Sequence, residues 1–301
     1  MRSTLAQRAA AVALTLVCTT PLCRAQDDAI VPERVTFPSA DKRTTLIGYL
    51  YRPARMPAER VPAVVMMHGR GGAYSDRANG VYDASTLSLR HKAWGRRWAE
   101  AGYIAVLVDG FGPRGHPQGF PRFSYDSRPE QVSEVAVRPL DAYGALAYLR
   151  TRPDVLGDRI GLQGWSNGAS AAIVAMSHDA PGIAAPTPES GFRAALAFYP
   201  ACGLRGRFDE RPFRPYAPTL VFHGTADEEV SHRRCATLVE KSRAAGGNVA
   251  IKVYRGATHS FDTPSRKRQG IDANADATED AIARALALFA RQVAGGNAPS
   301  R

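Results

Sequence analysis

Six short apolar runs constrain the fold more than any other feature of the chain. They are VPAVVMMHG (from Val61), YIAVLVDG (from Tyr103), RIGLQG (from Arg159), RAALAFYP (from Arg193), APTLVFHG (from Ala217) and VAIKVYRG (from Val249). Continuous apolar runs of this length are how strands read when both their faces are buried. The sixth run is more polar and is expected nearer a sheet edge. Helical patterns fall between them. KAWGRRWAEAG sets Trp94, Trp98 and Ala101 on one stripe and stops at Gly102. The segment from Glu130 to Pro153 is helical in its later half, with Pro139 expected to kink or restart it. NGASAAIVAMSHD follows the third run. SHRRCATLVEKSRAAGG follows the fifth, with Ser231 as the expected N-cap and Gly246 as the stop. TEDAIARALALFARQVAGG closes the pattern, with Thr278 as the expected cap. Ahead of all this, RVTFPSA and TTLIGYLYR flank the turn DKRT and read as an antiparallel hairpin. Strands alternating with helices argue an α/β protein with a mainly parallel central sheet and helices on both faces.

The chain has 301 residues, 45% of them hydrophobic, which suits one large α/β domain. No repeat or low-complexity linker divides it, so residues 26–294 are taken as a single domain and 295–301 as a disordered tail. Residues 1–25 read as a signal peptide. Arg2 and Arg8 precede the apolar run Ala9 to Val17, and Cys23-Arg24-Ala25 supplies small residues at the cleavage site. The run is too short to span a bilayer. A periplasmic or secreted protein without a membrane span is therefore expected. The formal charge is +11, and removing Arg2, Arg8 and Arg24 leaves +8. The arginines are scattered and no basic helix stands out, so a solvated basic surface is expected rather than a nucleic-acid partner. Cleavage leaves Cys202 and Cys235, which in an oxidising compartment read as a disulfide, with two buried thiols as the alternative.

Two long loops interrupt the alternation, at about 69–87 and 110–128. Each follows the carboxyl end of a predicted strand, where open α/β sheets bind ligands. The third such end carries Gly164-Trp165-Ser166-Asn167-Gly168. A serine on a sharp strand-to-helix turn needs small neighbours, because its backbone is strained and nearby side chains would clash. Such a serine is a nucleophile only with a base, and the base needs an orienting acid, here in the chain order Ser, acid, His. Asp227 stands in the turn after APTLVFHG, and His259 follows VAIKVYRG. Ser166, Asp227 and His259 are thus the candidate catalytic residues. Glu228 and Glu229 are expected to support the N-terminus of the following helix, and Asp262 to be a lid or loop residue. The Asn167 N–H is the first candidate oxyanion donor. HGRGG supplies the second, Arg70 ahead of Gly71. His68 reads as structural, bonded to backbone under its loop. No histidine shows metal-ligand spacing and no dinucleotide or phosphate fingerprint follows the first strands, so neither metal nor cofactor is expected.

HGRGG, VLVDGFGPRG, DRIGLQGWSNGAS, FYPACG, HGTADEEV and GATHSFD together resemble the dienelactone hydrolase family of the α/β-hydrolase superfamily. The resemblance runs from about residue 32 to 293. It implies an α/β-hydrolase fold and hydrolysis of an ester or lactone through an acyl-enzyme. Dienelactone hydrolases proper use a cysteine nucleophile and are cytoplasmic, whereas this chain has Ser166 and an export signal. The serine points to a general carboxylesterase of that family. Exported relatives often carry a cysteine after the FYP strand and another in the helix after the acid, and Cys202 and Cys235 match those positions. Arg114 also matches a family position, where it would bind an acidic substrate group or hold its loop by a salt bridge. Tyr82, Trp165 and Tyr199 are candidate pocket walls. The expected substrate is a small-molecule or polymer ester. A serine peptidase of the same superfamily and a non-catalytic binding protein are the alternatives.

Overall fold

The computed structural model describes residues 30–295. The expected signal peptide and all of the expected tail except Gly295 lie outside them. The chain begins with the hairpin β1 (Glu33–Pro38) and β2 (Thr45–Tyr51), paired antiparallel from Glu33 opposite Leu50 to Pro38 opposite Thr45. Six more strands follow: β3 (Val61–Met67), β4 (Ile104–Asp109), β5 (Val155–Trp165), β6 (Ala195–Phe198), β7 (Thr219–Gly224) and β8 (Val249–Tyr254). The sheet order is β1-β2-β4-β3-β5-β6-β7-β8. β2 meets β4 antiparallel, and every pair from β4 to β8 is parallel. All six apolar runs are strands, and the most polar, β8, is at the edge.

Alternate residues serve opposite faces, as the pleat requires. Val65, Met67, Val106 and Val108 belong to a core shared with helices α2 (Arg138–Arg150), α3 (Asn167–Ala175) and α4 (His232–Ala244). Val64, Met66, Ala105 and Leu107 belong to the other core, under α1 (Leu89–Glu100) and α6 (Asp272–Gln292). A short α5 (Arg266–Gln269) precedes α6. No helix among the described residues is long and apolar enough to cross a membrane.

Three local expectations are refined. Pro139 does restart the helix: a 3-10 turn at Glu130–Val132 is followed by α2, with the proline in its first turn, where a missing N–H costs nothing. Ser231 is the N-cap of α4, but its side chain makes no capping bond. Thr278 does not cap the last helix. Alanine-rich sequence propagates the helix back to Asp272, and the Thr278 hydroxyl bonds the Asn274 carbonyl a turn earlier (2.6 Å) and the Phe261 carbonyl (3.0 Å).

Cys202 and Cys235 form a disulfide between the loop after β6 and α4, closing a loop of 33 residues. Cross-linking a loop of this size restricts the unfolded chain. The C202S/C235S variant should therefore lose about 2–4 kcal/mol of stability in urea denaturation, and the oxidised wild type should show no free thiol from this pair.

Candidate active site

Ser166 stands between β5 and α3 with φ 50° and ψ −115°, a region that non-glycine residues rarely occupy. Close approach of backbone holds it there. A Cβ on Gly164 would collide with the Gly168 carbonyl, and a Cβ on Gly168 with the Met67 carbonyl at the end of β3. The Ser166 N–H donates to the Phe198 carbonyl (2.9 Å), and the Ser166 carbonyl accepts from the Ser170 N–H (2.9 Å). The strained residue is thus fixed on both sides, the arrangement in which backbone strain persists.

Asn167 opens α3, so its N–H lies among the unsatisfied donors of a helix start. Its side chain is locked: Nδ2 donates to Glu134 Oε2 (3.1 Å) and Oδ1 accepts from Arg138 Nη1 (2.6 Å). The same Nη1 reaches the His68 carbonyl (2.7 Å). Arg138 is fully buried, and that burial pushes its guanidinium down to about 10. His68 is fully buried too, and burial, aided by Arg138, holds its imidazole well below the usual range. The neutral ring donates from Nδ1 to the Gly69 carbonyl (2.7 Å) and accepts the Gly110 N–H at Nε2 (3.2 Å). His68 therefore joins the loops after β3 and β4.

Arg70 lies in the turn closed by Gly72 N–H to the Gly69 carbonyl (3.1 Å). Its guanidinium forms a bidentate pair with Glu229, 2.8 Å on each arm, and its Nη1 donates to the Phe120 carbonyl (2.9 Å). Phe120 N–H returns a bond to the Arg70 carbonyl (2.8 Å). Gly119 packs so closely on this turn that a Cβ there would strike the Gly71 carbonyl carbon. The second long loop thus lies directly on the candidate oxyanion turn.

Asp227 follows β7 and His259 follows β8. Asp227 Oδ1 accepts the N–H groups of Glu229 and Val230 (2.9 Å each), and Oδ2 accepts from His259 Nδ1 (2.9 Å). Both side chains are nearly fully buried. The His259 N–H donates to Glu228 Oε2 (2.8 Å), and Arg268 donates to the other oxygen of that carboxylate (2.9 Å). Burial opposes the Glu228 charge, but these bonds outweigh it and hold its carboxyl at about 2. Glu228 and Glu229 accordingly do not support the start of α4; they face the His259 loop and Arg70, because charged partners there offer more than a helix dipole.

Asp262 is no lid residue. It is 4% exposed, and Oδ2 accepts the indole N–H groups of Trp94 and Trp165 (2.8 Å each). Oδ1 accepts from Tyr199 (2.5 Å), whose oxygen accepts in turn from Arg90 (2.5 Å). Trp165 and Tyr199 are fully buried around this hub and are not pocket walls; the Tyr199 ring instead packs on His259, centroids 4.7 Å apart. Arg114 is likewise withdrawn from substrate. It pairs bidentately with buried Asp141 (2.8 Å each) and bonds the Gly110 carbonyl (2.6 Å), so it holds its loop. Tyr82 packs on Tyr74 at the surface, away from the cavity (5.2 Å).

A cavity of about 900 Å³ opens over Ser166 and Asn167. Arg70, Glu229, Phe123 and Tyr125 form part of its wall, and Cys202 and Leu204 another part. Gly71 is not in its lining. Sequence reasoning missed the Arg138–Asn167–Glu134 chain and the Asp262 hub. Arg138 carried a weak signal, as a cation in the first turn of a helix whose middle is apolar. Among the described residues no group of three His, Cys, Asp or Glu side chains is arranged to hold a metal ion.

The family model described as "Dienelactone hydrolase family" matches residues 46–293. A Bradyrhizobium protein described as a probable 2-oxo-3-(5-oxofuran-2-ylidene)propanoate lactonase is 26% identical over 232 residues, 71% of this chain and 78% of that protein. Human dipeptidyl peptidase 8 is 25% identical over 258 residues, 77% of this chain but only 26% of that protein. The propionate-bound esterase Est2 of Thermogutta terrifontis superposes with a TM-score of 0.60 at 23% identity, covering 91% of this chain and 98% of that one.

The Asp262 hub yields a stability prediction. Asp262→Ala leaves the Arg90 guanidinium, 3.7 Å away, without its carboxylate, and strands two indole donors. It should cost about 3–5 kcal/mol in chemical denaturation.

Proposed function

The chain belongs to the dienelactone hydrolase family, and we propose that within it the protein is a serine hydrolase that cleaves a carboxylic ester or lactone through an acyl-enzyme. The observation that carries this reading is the strained turn at Ser166, φ 50°, in the lining of the cavity. Backbone strain at a cavity-lining serine between a strand and a helix is characteristic of an activated nucleophile.

In this mechanism Ser166 Oγ attacks the ester carbonyl and its proton passes to His259 Nε2. Asp227, bonded to Nδ1, fixes the tautomer and stabilises the imidazolium. The N–H groups of Asn167 and Arg70 receive the oxyanion. Collapse of the tetrahedral intermediate breaks the carbon–oxygen bond, and the departing alkoxide takes the proton from His259. Water then attacks the acyl-enzyme, giving its proton to His259, and Ser166 leaves with that proton as the acid product forms. In a lactone the leaving alcohol stays attached to the acyl group, so the product is a hydroxy acid. The neutral His68 and the Arg138 bridge support this reading, because they hold the Gly69–Arg70 turn and Asn167 on one frame.

Export to an oxidising compartment is part of the proposal. The signal-like residues 1–25 and the Cys202–Cys235 disulfide support it. A peptidase is the second reading, favoured by the partial similarity to dipeptidyl peptidase 8.

Short p-nitrophenyl esters, a simple lactone and peptide p-nitroanilides separate these readings. The wild type should hydrolyse esters or lactones and react with a fluorophosphonate probe at Ser166. Ser166→Ala should lower kcat by about 10⁶ and Asp227→Asn by about 10⁴. Turnover of anilides alone would favour the peptidase. Absence of both labelling and turnover would sink the hydrolase reading.

A further inference from the structure

We propose that Glu229 is a second acid of this site, a positioning residue that steadies His259 from the side opposite Asp227 and ties it to the arginine-bearing loops after β3 and β4. The proposal rests on the reading of His259 as the base. One turn supplies both carboxylates. The N–H of Glu229 donates to Asp227 Oδ1 (2.9 Å), so the two acids are fixed relative to each other. Asp227 Oδ2 meets His259 Nδ1 at 2.9 Å, whereas Glu229 Oε2 lies 3.7 Å from Nε2. The second distance is too long for a hydrogen bond. It is a charge contact, and it leaves Nε2 able to exchange a proton with Ser166 and the leaving group.

A lone carboxylate at that position would compete for the proton that the base must pass on. Two arginines restrain it. Arg70, from the loop after β3, donates to both Glu229 oxygens at 2.8 Å. Arg122, from the loop after β4, lies 2.9 Å from Oε1. Burial works against the Glu229 charge, but the Arg70 bonds and the charges of His259, Arg70 and Arg122 prevail and hold its carboxyl below the usual range. One 9%-exposed side chain therefore gathers three loops at the catalytic imidazole.

The remaining groups around His259 are accounted for. Asp227 bonds Nδ1. His223 lies 3.7 Å behind Asp227 Oδ2, and burial lowers its pKa and favours the neutral ring. Glu228 accepts the His259 N–H and is balanced by Arg268, with Arg122 at 3.4 Å. Tyr199 packs on the ring with the two planes inclined at 59°, kept protonated by burial and hydrogen-bonded to Asp262 and Arg90. Among these, Glu229 is the one carboxylate on the Nε2 side, and its charge is shared between the imidazole and the two arginines.

Opposite signs follow for two isosteric changes. Glu229→Gln leaves two arginines uncompensated beside Nε2, which disfavours the imidazolium. Arg122→Gln releases Glu229 toward the ring, which favours it. The measurement is an NMR pH titration of the His259 imidazole, assigned with His259→Gln, in each variant and in the double variant. The midpoint should fall by about one pH unit in E229Q and rise by about half a unit in R122Q, and the double variant, with one uncompensated arginine instead of two, should lie between E229Q and the wild type. The acid limb of kcat/KM should move in the same directions. Arg122 is 46% exposed, so R122Q tests the idea even if E229Q fails to fold. Midpoints within about 0.2 unit of wild type in either folded variant, whatever the activity, would overturn the proposal, since that is well under a typical neighbour-charge shift. The titration needs no turnover, so loss of the hydrolase reading and loss of this one are separately visible.

Discussion

A sheet buried on both faces leaves polar chemistry only one place to gather, and that is at the ends of its strands. The inner strands β4 and β6 are buried along their whole length. The one charge on them, Asp109, stands at the carboxyl end of β4, where the Tyr74 hydroxyl and the N–H groups of Phe111 and Gly112 satisfy it; within the strands an unpaired charge would be strongly disfavoured. Ser166, Asp227, His259 and the Arg70 turn all stand just past strand carboxyl ends. Their spacing along the chain is the spacing of the βα units, and parallel pairing of β3, β5, β6, β7 and β8 brings the loops that carry them to one edge of the sheet, where Asp227 bonds His259 and Arg70 bonds Glu229.

Beneath those loops lies a layer of buried polar groups that the apolar pattern does not announce. Arg138 grips His68 and Asn167 at once, Arg114 grips Asp141, and Asp262 collects two indoles and a phenol. Buried charges of this kind contribute little net stability over apolar packing, yet losing one partner is costly. Their value here is geometric. Each joins two loops or a loop and a helix, so the turns at Ser166, Arg70 and His259 cannot drift independently. A catalytic arrangement tolerates little displacement of its reacting groups.

The strands, the hairpin and the strained turn at Ser166 were legible because each has a local signature: an uninterrupted apolar run, a polar turn, a glycine-flanked serine. The start of the last helix was not, because Thr278 looks like a cap only until the alanine-rich stretch from Asp272 is allowed to propagate. Trp165 and Tyr199 looked like pocket walls by adjacency to the serine and to β6. Their side chains turn inward because Asp262, distant in sequence, offers the one buried acceptor their N–H and O–H groups need. Partnership across 97 residues leaves no periodic trace. Arg70 with Glu229, 159 residues apart, is illegible for the same reason.

The disulfide connects this polar layer to the cavity. Cys202 is part of the cavity wall, and Cys235 lies in α4, which begins just after the turn that carries Asp227 and Glu229. A covalent link between them limits how far α4 can move from the loop after β6. The Asp227 carboxylate is held by the N–H groups of Glu229 and Val230 and by His259. Fixing α4 therefore confines the turn from its far side, while the Arg70 and Arg122 contacts to Glu229 confine it from the cavity side. The wide cavity above can then vary in loop sequence, as specificity requires, without loosening the imidazole beneath it.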